Sequence, residues 1–208
     1  SVELVCSMKR LRIPLDLISC NSAISACGKG TQWRFPLALL SSMPQVRIAP
    51  STISCNAVIG TCETGAQWQL ALALLGSMPQ LRLASDVISC NCAARACGMS
   101  TGWHYTAVLL DSMLRSRGAL DASSFSTTIS NCQRGSQWRL ALTALTSMPE
   151  LRVAPNVISC NAAISACEAG SQWYLALMLL VSMLWLRIAL DASSCGAAIS
   201  ACEKGAHW

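Results

Sequence analysis

The stretch from Asn156 to Asp191, N-VISCNAAISACEAG-SQWYLALMLLVSMLWLRIAL-D, reads as two helices joined by a tight turn. Asn156 can cap a first helix that begins near Val157, because its side-chain oxygen accepts a hydrogen bond from a backbone N–H left free at a helix start. Glu168-Ala169-Gly170 ends that helix, with the glycine expected where the chain turns into positive φ. A second helix is expected from about Ser171 to Met183. There Trp173, Leu177 and Leu180, together with the Leu175/Leu179 pair, recur at three- and four-residue spacing and form one apolar stripe.

The same unit recurs along the chain. Trp33, Trp68, Trp103, Trp138, Trp173 and Trp208 are spaced by 35, as are Met8, Met43, Met78, Met113, Met148 and Met183. Arg12, Arg47, Arg82, Arg117, Arg152 and Arg187 keep that period, and so do Cys27, Cys62, Cys97, Cys132, Cys167 and Cys202. Glycine follows it at the turn, at Gly30, Gly65, Gly135, Gly170 and Gly205. Five full units result, 17–51, 52–86, 87–121, 122–156 and 157–191. Residues 1–16 match the end of a preceding unit and 192–208 the first part of a further one. A helix pair of this size cannot bury both of its apolar faces alone, so stability must come from stacking on its neighbours. The expected fold is all-α, a right-handed α-solenoid of stacked helix-turn-helix repeats.

Hydrophobic residues make up 53% of the 208 and the mean hydropathy is +0.45, yet the longest apolar run, Leu175 to Leu186, is too short to span a bilayer. It is expected as a buried helix, and no membrane partner is expected. A net charge of +5 fits a polyanionic partner without requiring one. The thirteen cysteines follow the repeat and form no CxxC, so buried packing in a reducing compartment is expected, without disulfides, bound metal or cofactor. The tryptophans, in phase with the leucines of the second helix, are expected as core anchors. His104 and His207 occupy non-equivalent positions, and no H-x-E with a downstream C-x-x-C occurs. The chain itself supplies no catalytic constellation; an attached catalytic domain would lie outside this sequence.

The 35-residue period, the V-I-S-C-N-A start, the A-C-E-x-G turn, the A-L-x-L-L-x-S-M second helix and the closing R-x-A-P-N/D together resemble the pentatricopeptide repeat family. That resemblance implies single-stranded RNA as partner, held along the first helices, with about one base read per unit by its fifth residue and its last. The residues so assigned are Asn21 with Ser51, Asn56 with Asp86, Asn91 with Asp121, Ser126 with Asn156, and Asn161 with Asp191. The family's code then implies the site 5′-CUUAU-3′. It also implies that Ile18, Ile53, Ile88 and Ile158 sandwich bases at the second position, where Ser123 and Ser193 depart from the pattern. Lys29, Arg134 and Lys204 match the family's phosphate-contacting position, while Thr64, Met99 and Ala169 do not. The resemblance further implies a mitochondrial or chloroplast setting in RNA processing, stability or editing, with an RNA-processing or editing protein as a further partner.

The residues alone leave alternatives. Ser, Asp and Asn at the last position are all good helix N-caps without a ligand. Asn at the fifth is unfavourable inside a helix, and a hydrogen-bonded asparagine ladder between helices is its structural alternative. A protein-binding scaffold is the competing use of such an array. The periodic arginines, in the loop after the second helix, are expected to cap helix C-termini or face solvent. Pro36, in the first turns of a second helix, is expected to shorten it. The chain is expected to be a monomer whose exposed ends can self-associate.

Overall fold

The computed structural model describes residues 16–28, 33–98, 102–115 and 121–205. Lys29, Gly30, Met99, Arg117, His207, Trp208 and the matches within residues 1–15 lie outside them. Eleven α-helices and no strand are present among the described residues. They fall into two compact units, 1–100 and 101–208. The first holds α1 (Leu17–Gly28), α2 (Arg34–Ser42), α3 (Thr52–Thr64), α4 (Trp68–Ser77) and α5 (Val87–Gly98). The second holds α6 (Trp103–Arg115), α7 (Ala122–Arg134), α8 (Trp138–Glu150), α9 (Val157–Ala169), α10 (Trp173–Trp185) and α11 (Ala192–Lys204).

Within each unit the first-type helices pack side by side, α1 on α3 on α5 and α7 on α9 on α11, while α2, α4, α8 and α10 each lie against the first helix before and the one after, and α6 lies against α7. The result in each unit is a two-layer α-solenoid. Periodic residues build its core. Met113, Met148 and Met183 are buried on the second helices and Met43 and Met78 at the C-caps of α2 and α4, while Cys62, Cys97, Cys132 and Cys167 are buried on the first helices. Burial pushes those four thiols up to about 11, so they are packing groups and not nucleophiles at neutral pH.

Two turns repeat and neither uses glycine as expected. At the end of the first helix Gly65, Gly135, Gly170 and Gly205 have φ of −89°, −86°, −90° and −76°. The left-handed residue is the next one, Ala66, Ser136 or Ser171, at φ of 51–55°. Backbone bonds such as Gln67 N–H to the Cys62 carbonyl at 2.9 Å and Ala66 N–H to Glu63 at 3.2 Å close a Schellman turn around it. The glycine answers a steric demand instead. A Cβ built on Gly65 would stand 2.5 Å from Cδ1 of Trp33, and one on Gly205 2.6 Å from Cδ1 of Trp173; Gly170 meets Trp138 in the same way. The second helix consequently starts at Trp173, not Ser171, because Ser171 is left-handed.

After the second helix the left-handed position falls on the periodic arginine. Arg47, Arg82, Arg152 and Arg187 have φ of 54–60°. Each is followed by an N–H that reaches back to the buried methionine carbonyl, as from Ile48 to Met43 at 3.0 Å and from Leu83 to Met78 at 2.9 Å. The backbone of the arginine thus closes the helix end. Pro36 sits at the third residue of α2, where no intrahelical donor is lost. The 3-10 turns Pro44–Val46 and Pro79–Leu81 follow α2 and α4 directly, while the equivalent Pro149 lies inside α8, which runs to Glu150, and α10, with leucine there, runs to Trp185.

One expectation fails outright. The run Leu175 to Leu186 is not a buried helix: only Ala176 and Met183 of α10 are buried, and Tyr174, Met178, Val181, Leu184, Trp185 and Leu186 are exposed. The leucines meant to form its buried stripe are half-buried against the core. None of the helices among the described residues is long and apolar enough to cross a membrane.

Candidate functional site

The residue before each first helix is an N-cap. Its side-chain oxygen accepts from the backbone N–H three residues on, from Ser19 to Asp16 at 2.7 Å, Ser54 to Ser51 at 3.2 Å, Ser89 to Asp86 at 2.7 Å, Ser124 to Asp121 at 2.8 Å, Ser159 to Asn156 at 2.8 Å and Ser194 to Asp191 at 2.7 Å. In several of these the serine hydroxyl returns to the N-cap backbone, which makes a capping box. Capping is therefore one role of Ser51, Asp86, Asp121, Asn156 and Asp191.

The same serine has a second partner across the repeat junction. Ser54 Oγ donates to Asn21 Oδ1 at 2.6 Å, Ser89 Oγ to Asn56 Oδ1 at 2.5 Å and Ser194 Oγ to Asn161 Oδ1 at 2.6 Å. The asparagine amide then donates to the cap: Asn56 Nδ2 lies 3.2 Å from Asp86 Oδ1, and Asn161 Nδ2 lies 3.1 and 3.2 Å from the two Asp191 oxygens. This orientation of the amide is the only one that gives both neighbours a complementary atom, since a carboxylate only accepts. An asparagine side chain has two donor hydrogens and two acceptor lone pairs. The junction uses one of each and leaves one of each.

These groups sit on an accessible face. Ile18, Ile53, Ile88 and Ile158, three residues before the asparagines and hence on the same side of each helix, are 74%, 68%, 61% and 65% exposed. A β-branched apolar residue left this open at each of these four sites has no core contact to explain it. Asn21, Asn56 and Asn161 are half-buried, and Asn91 is buried. Asn91 and Asp121 belong to different compact units. Ser123 and Ser193 are exposed where isoleucine stands elsewhere.

The fourth unit departs from the rest. Ser126 is buried and its Oγ has no hydrogen-bond partner. A serine is too short to bridge the junction as asparagine does, and Ser159 Oγ donates to its own Asn156 carbonyl at 2.9 Å. Asn156 keeps the cap.

Hydrogen bonds set the charge at the caps. The backbone N–H and the hydroxyl of Ser194 hold the Asp191 carboxyl below its ordinary value, with the Asn161 amide adding to them. At Asp86 burial pushes the carboxyl up, but the Ser89 N–H, the Ser89 hydroxyl and the Asn56 amide outweigh it and the net shift is downward. Both are anionic at neutral pH. Of the phosphate candidates, Arg134 is exposed at the end of α7, and Lys204 pairs with Glu168 at 2.9 Å. Arg95, which sequence reasoning passed over, pairs with Glu63 at 2.9 Å in the same region of α5 and α3.

The serines were the larger omission. Ser19, Ser54, Ser89, Ser124, Ser159 and Ser194 keep the 35-residue period without exception, and that regularity was the available signal. Among the described residues no group of three or more His, Cys, Asp or Glu could hold a metal ion.

Comparison with known proteins agrees with this architecture. A family model described as a pentatricopeptide repeat domain matches residues 3–64. The chain is similar in structure to the maize pentatricopeptide repeat protein PPR10, with a TM-score of 0.84 at 18% identity over 98% of this chain and 29% of that one. PPR10 in complex with an 18-nt psaJ RNA element gives 0.78 at 19% identity, over 91% of this chain and 28% of that chain. The PPR domain of Arabidopsis thaliana protein-only RNase P 1, in complex with tRNA, gives 0.73 at 12% identity over 90% and 98%. The chain thus spans less than a third of the length of PPR10. No curated protein matches it by sequence.

Proposed function

We propose that this chain, which shares the fold of pentatricopeptide repeat proteins and matches their repeat domain over residues 3–64, binds single-stranded RNA along its first helices and reads about one base per repeat. The carrying observation is the restrained asparagine amide. Ser89 and Asp86 fix Asn56, and Ser194 and Asp191 fix Asn161, so that each amide keeps one donor and one acceptor free beside an exposed isoleucine. A pyrimidine edge offers adjacent donor and acceptor atoms that complement such a pair, and the flat apolar face of a base can pack on the isoleucine. Because the amide is held before RNA arrives, little rotamer entropy is lost on binding.

Taking the units as 17–51, 52–86, 87–121, 122–156 and 157–191, the reading pairs are Asn21/Ser51, Asn56/Asp86, Asn91/Asp121, Ser126/Asn156 and Asn161/Asp191, and the site is 5′-CUUAU-3′. Ile18, Ile53, Ile88 and Ile158 sandwich the bases. Arg134, Lys204 and Lys29 contact phosphates; Lys204 shares its charge with Glu168, so the backbone contribution and the salt dependence are small. We assign the protein to organellar RNA processing, stability or editing, with any chemistry supplied by a partner. RNA-bound PPR10, a distant structural neighbour, supports the reading.

Fluorescence anisotropy tests it, with CUUAU, the reversed word, the same word as DNA, and CUUUU, using the chain and its Ser126→Asn variant. The expected result is a preference for CUUAU that moves to a pyrimidine at the fourth base in the variant. Binding indifferent to sequence and to the substitution, by folded protein, overturns base reading.

A further inference from the structure

The outer face of α10 is unlike that of the other second helices. Tyr174, Met178, Val181 and Trp185 stand at spacings of four, three and four, one stripe along a helix, and are 60%, 52%, 47% and 83% exposed, with Leu184 and Leu186 beside them at 60% and 59%. The equivalent residues on α8 are Arg139, Thr143, Thr146 and Glu150, and on α4 Gln69, Ala73 and Gly76, followed by Gln80 in the 3-10 turn after it. Those on α8 are exposed although a complete helix pair, α9 and α10, is stacked after it. The position therefore faces outward by design of the repeat, and a following repeat would not cover the α10 stripe. On α2, α4 and α8 this face is polar or small, and on α6 Val108 stands among His104, Asp111 and Arg115; among these helices α10 alone carries four large apolar side chains there, on a helix without a charged residue.

We propose that this face is a homodimer interface, in which α10 of one chain packs antiparallel on α10 of a second copy. The stripe is self-complementary under a two-fold axis. Its spacing reads the same in both directions, so Tyr174 of one copy falls opposite Trp185 of the other, and Met178 opposite Val181, an isologous contact. Two aromatic anchors flank an aliphatic centre at each half, the composition expected of an interface core. The exposed fractions of the six residues correspond to roughly 700 Å2, above the few hundred Å2 a monomer commonly leaves in one patch and near the ~800 Å2 per partner of a standard interface. The absence of charge on α10 removes like-charge repulsion across the axis. This pairing is the alternative to the monomer expected from the sequence. The candidate base-reading residues of the same unit lie on α7 and α9, in the other layer, so the pairing leaves them open.

Sedimentation equilibrium of the purified chain tests the proposal, from about 1 to 100 μM, with Val181→Arg, Trp185→Glu and, as a control on the exposed face of α11, Ile199→Arg. All three sites are solvent-exposed, and circular dichroism confirms that each variant keeps its helix content. The expected result is a monomer–dimer equilibrium weakened about tenfold or more by Val181→Arg and by Trp185→Glu and unchanged by Ile199→Arg. A monomer throughout the range overturns the proposal. So does self-association that survives both α10 variants, or that is abolished by Ile199→Arg, which assigns it to stacking of solenoid ends; so too does a monomer whose α10 face is taken by a different protein.

Discussion

A single methylene group separates what this chain tolerates at its turns from what it does not. The glycine after each first helix looked like a conformational choice, and the sequence alone could not distinguish that from a steric one, because both select the same residue. The structure places the positive φ one residue later, on Ala66, Ser136 and Ser171, and at Gly65, Gly170 and Gly205 it places the tryptophan of the preceding second helix where a Cβ would be. Gly170→Ala therefore must displace Trp138. We expect it to destabilise the fold by about 1–3 kcal/mol in urea denaturation, whereas a purely conformational glycine at φ of −90° would gain from alanine. The arginines show the converse. Arg47, Arg82, Arg152 and Arg187 accept a left-handed backbone that costs roughly 1 kcal/mol or more each for a residue with a Cβ. Their periodicity was plain in the sequence, but their conformation was not, since nothing in the residue type signals it.

Helix starts were legible and helix contents only partly so. Ser, Asp and Asn before each first helix predicted caps from elementary hydrogen-bond accounting, and the caps are present at 2.7–3.2 Å. What the sequence did not reveal is that the third-position serine serves two helices, closing its own capping box and holding the asparagine of the neighbouring repeat. Cross-repeat contacts of this kind need the stacking geometry. The caps also set an acid limit. Asp16, Asp86 and Asp191 have carboxyls lowered from 3.8 in the folded chain, so the stability they contribute is full above that value and is lost as pH falls through the lower folded values. The thermal midpoint is thus expected to hold from pH 7 to about 4.5 and to drop below about 3.8. Replacing Asp86 and Asp191 by asparagine, which caps α9 without charge at Asn156, should blunt that drop; loss already between pH 7 and 5 would contradict the assignment.

At the scale of the whole chain, the 35-residue period was enough for the fold class, because stacked repeats make one unit's pattern the pattern of all. It misjudged α10, whose apolar run was assigned to the core by composition when half of it faces outward. Hydrophobicity counts residues, while exposure depends on which face the neighbours leave open. The candidate reading face was similarly visible as chemistry but not as geometry. The asparagines were conspicuous for their low helix propensity, yet only the structure brings Asn161 within 3.2 Å of Asp191 and 2.6 Å of Ser194. That triad carries the central claim, and one comparison tests it most directly: the affinities of the chain and of Asn161→Ala for CUUAU and CUUAA. The account predicts that the unaltered chain prefers U at the fifth base and that the variant loses this preference while still discriminating the fourth. A fifth-base preference unchanged by Asn161→Ala would contradict it.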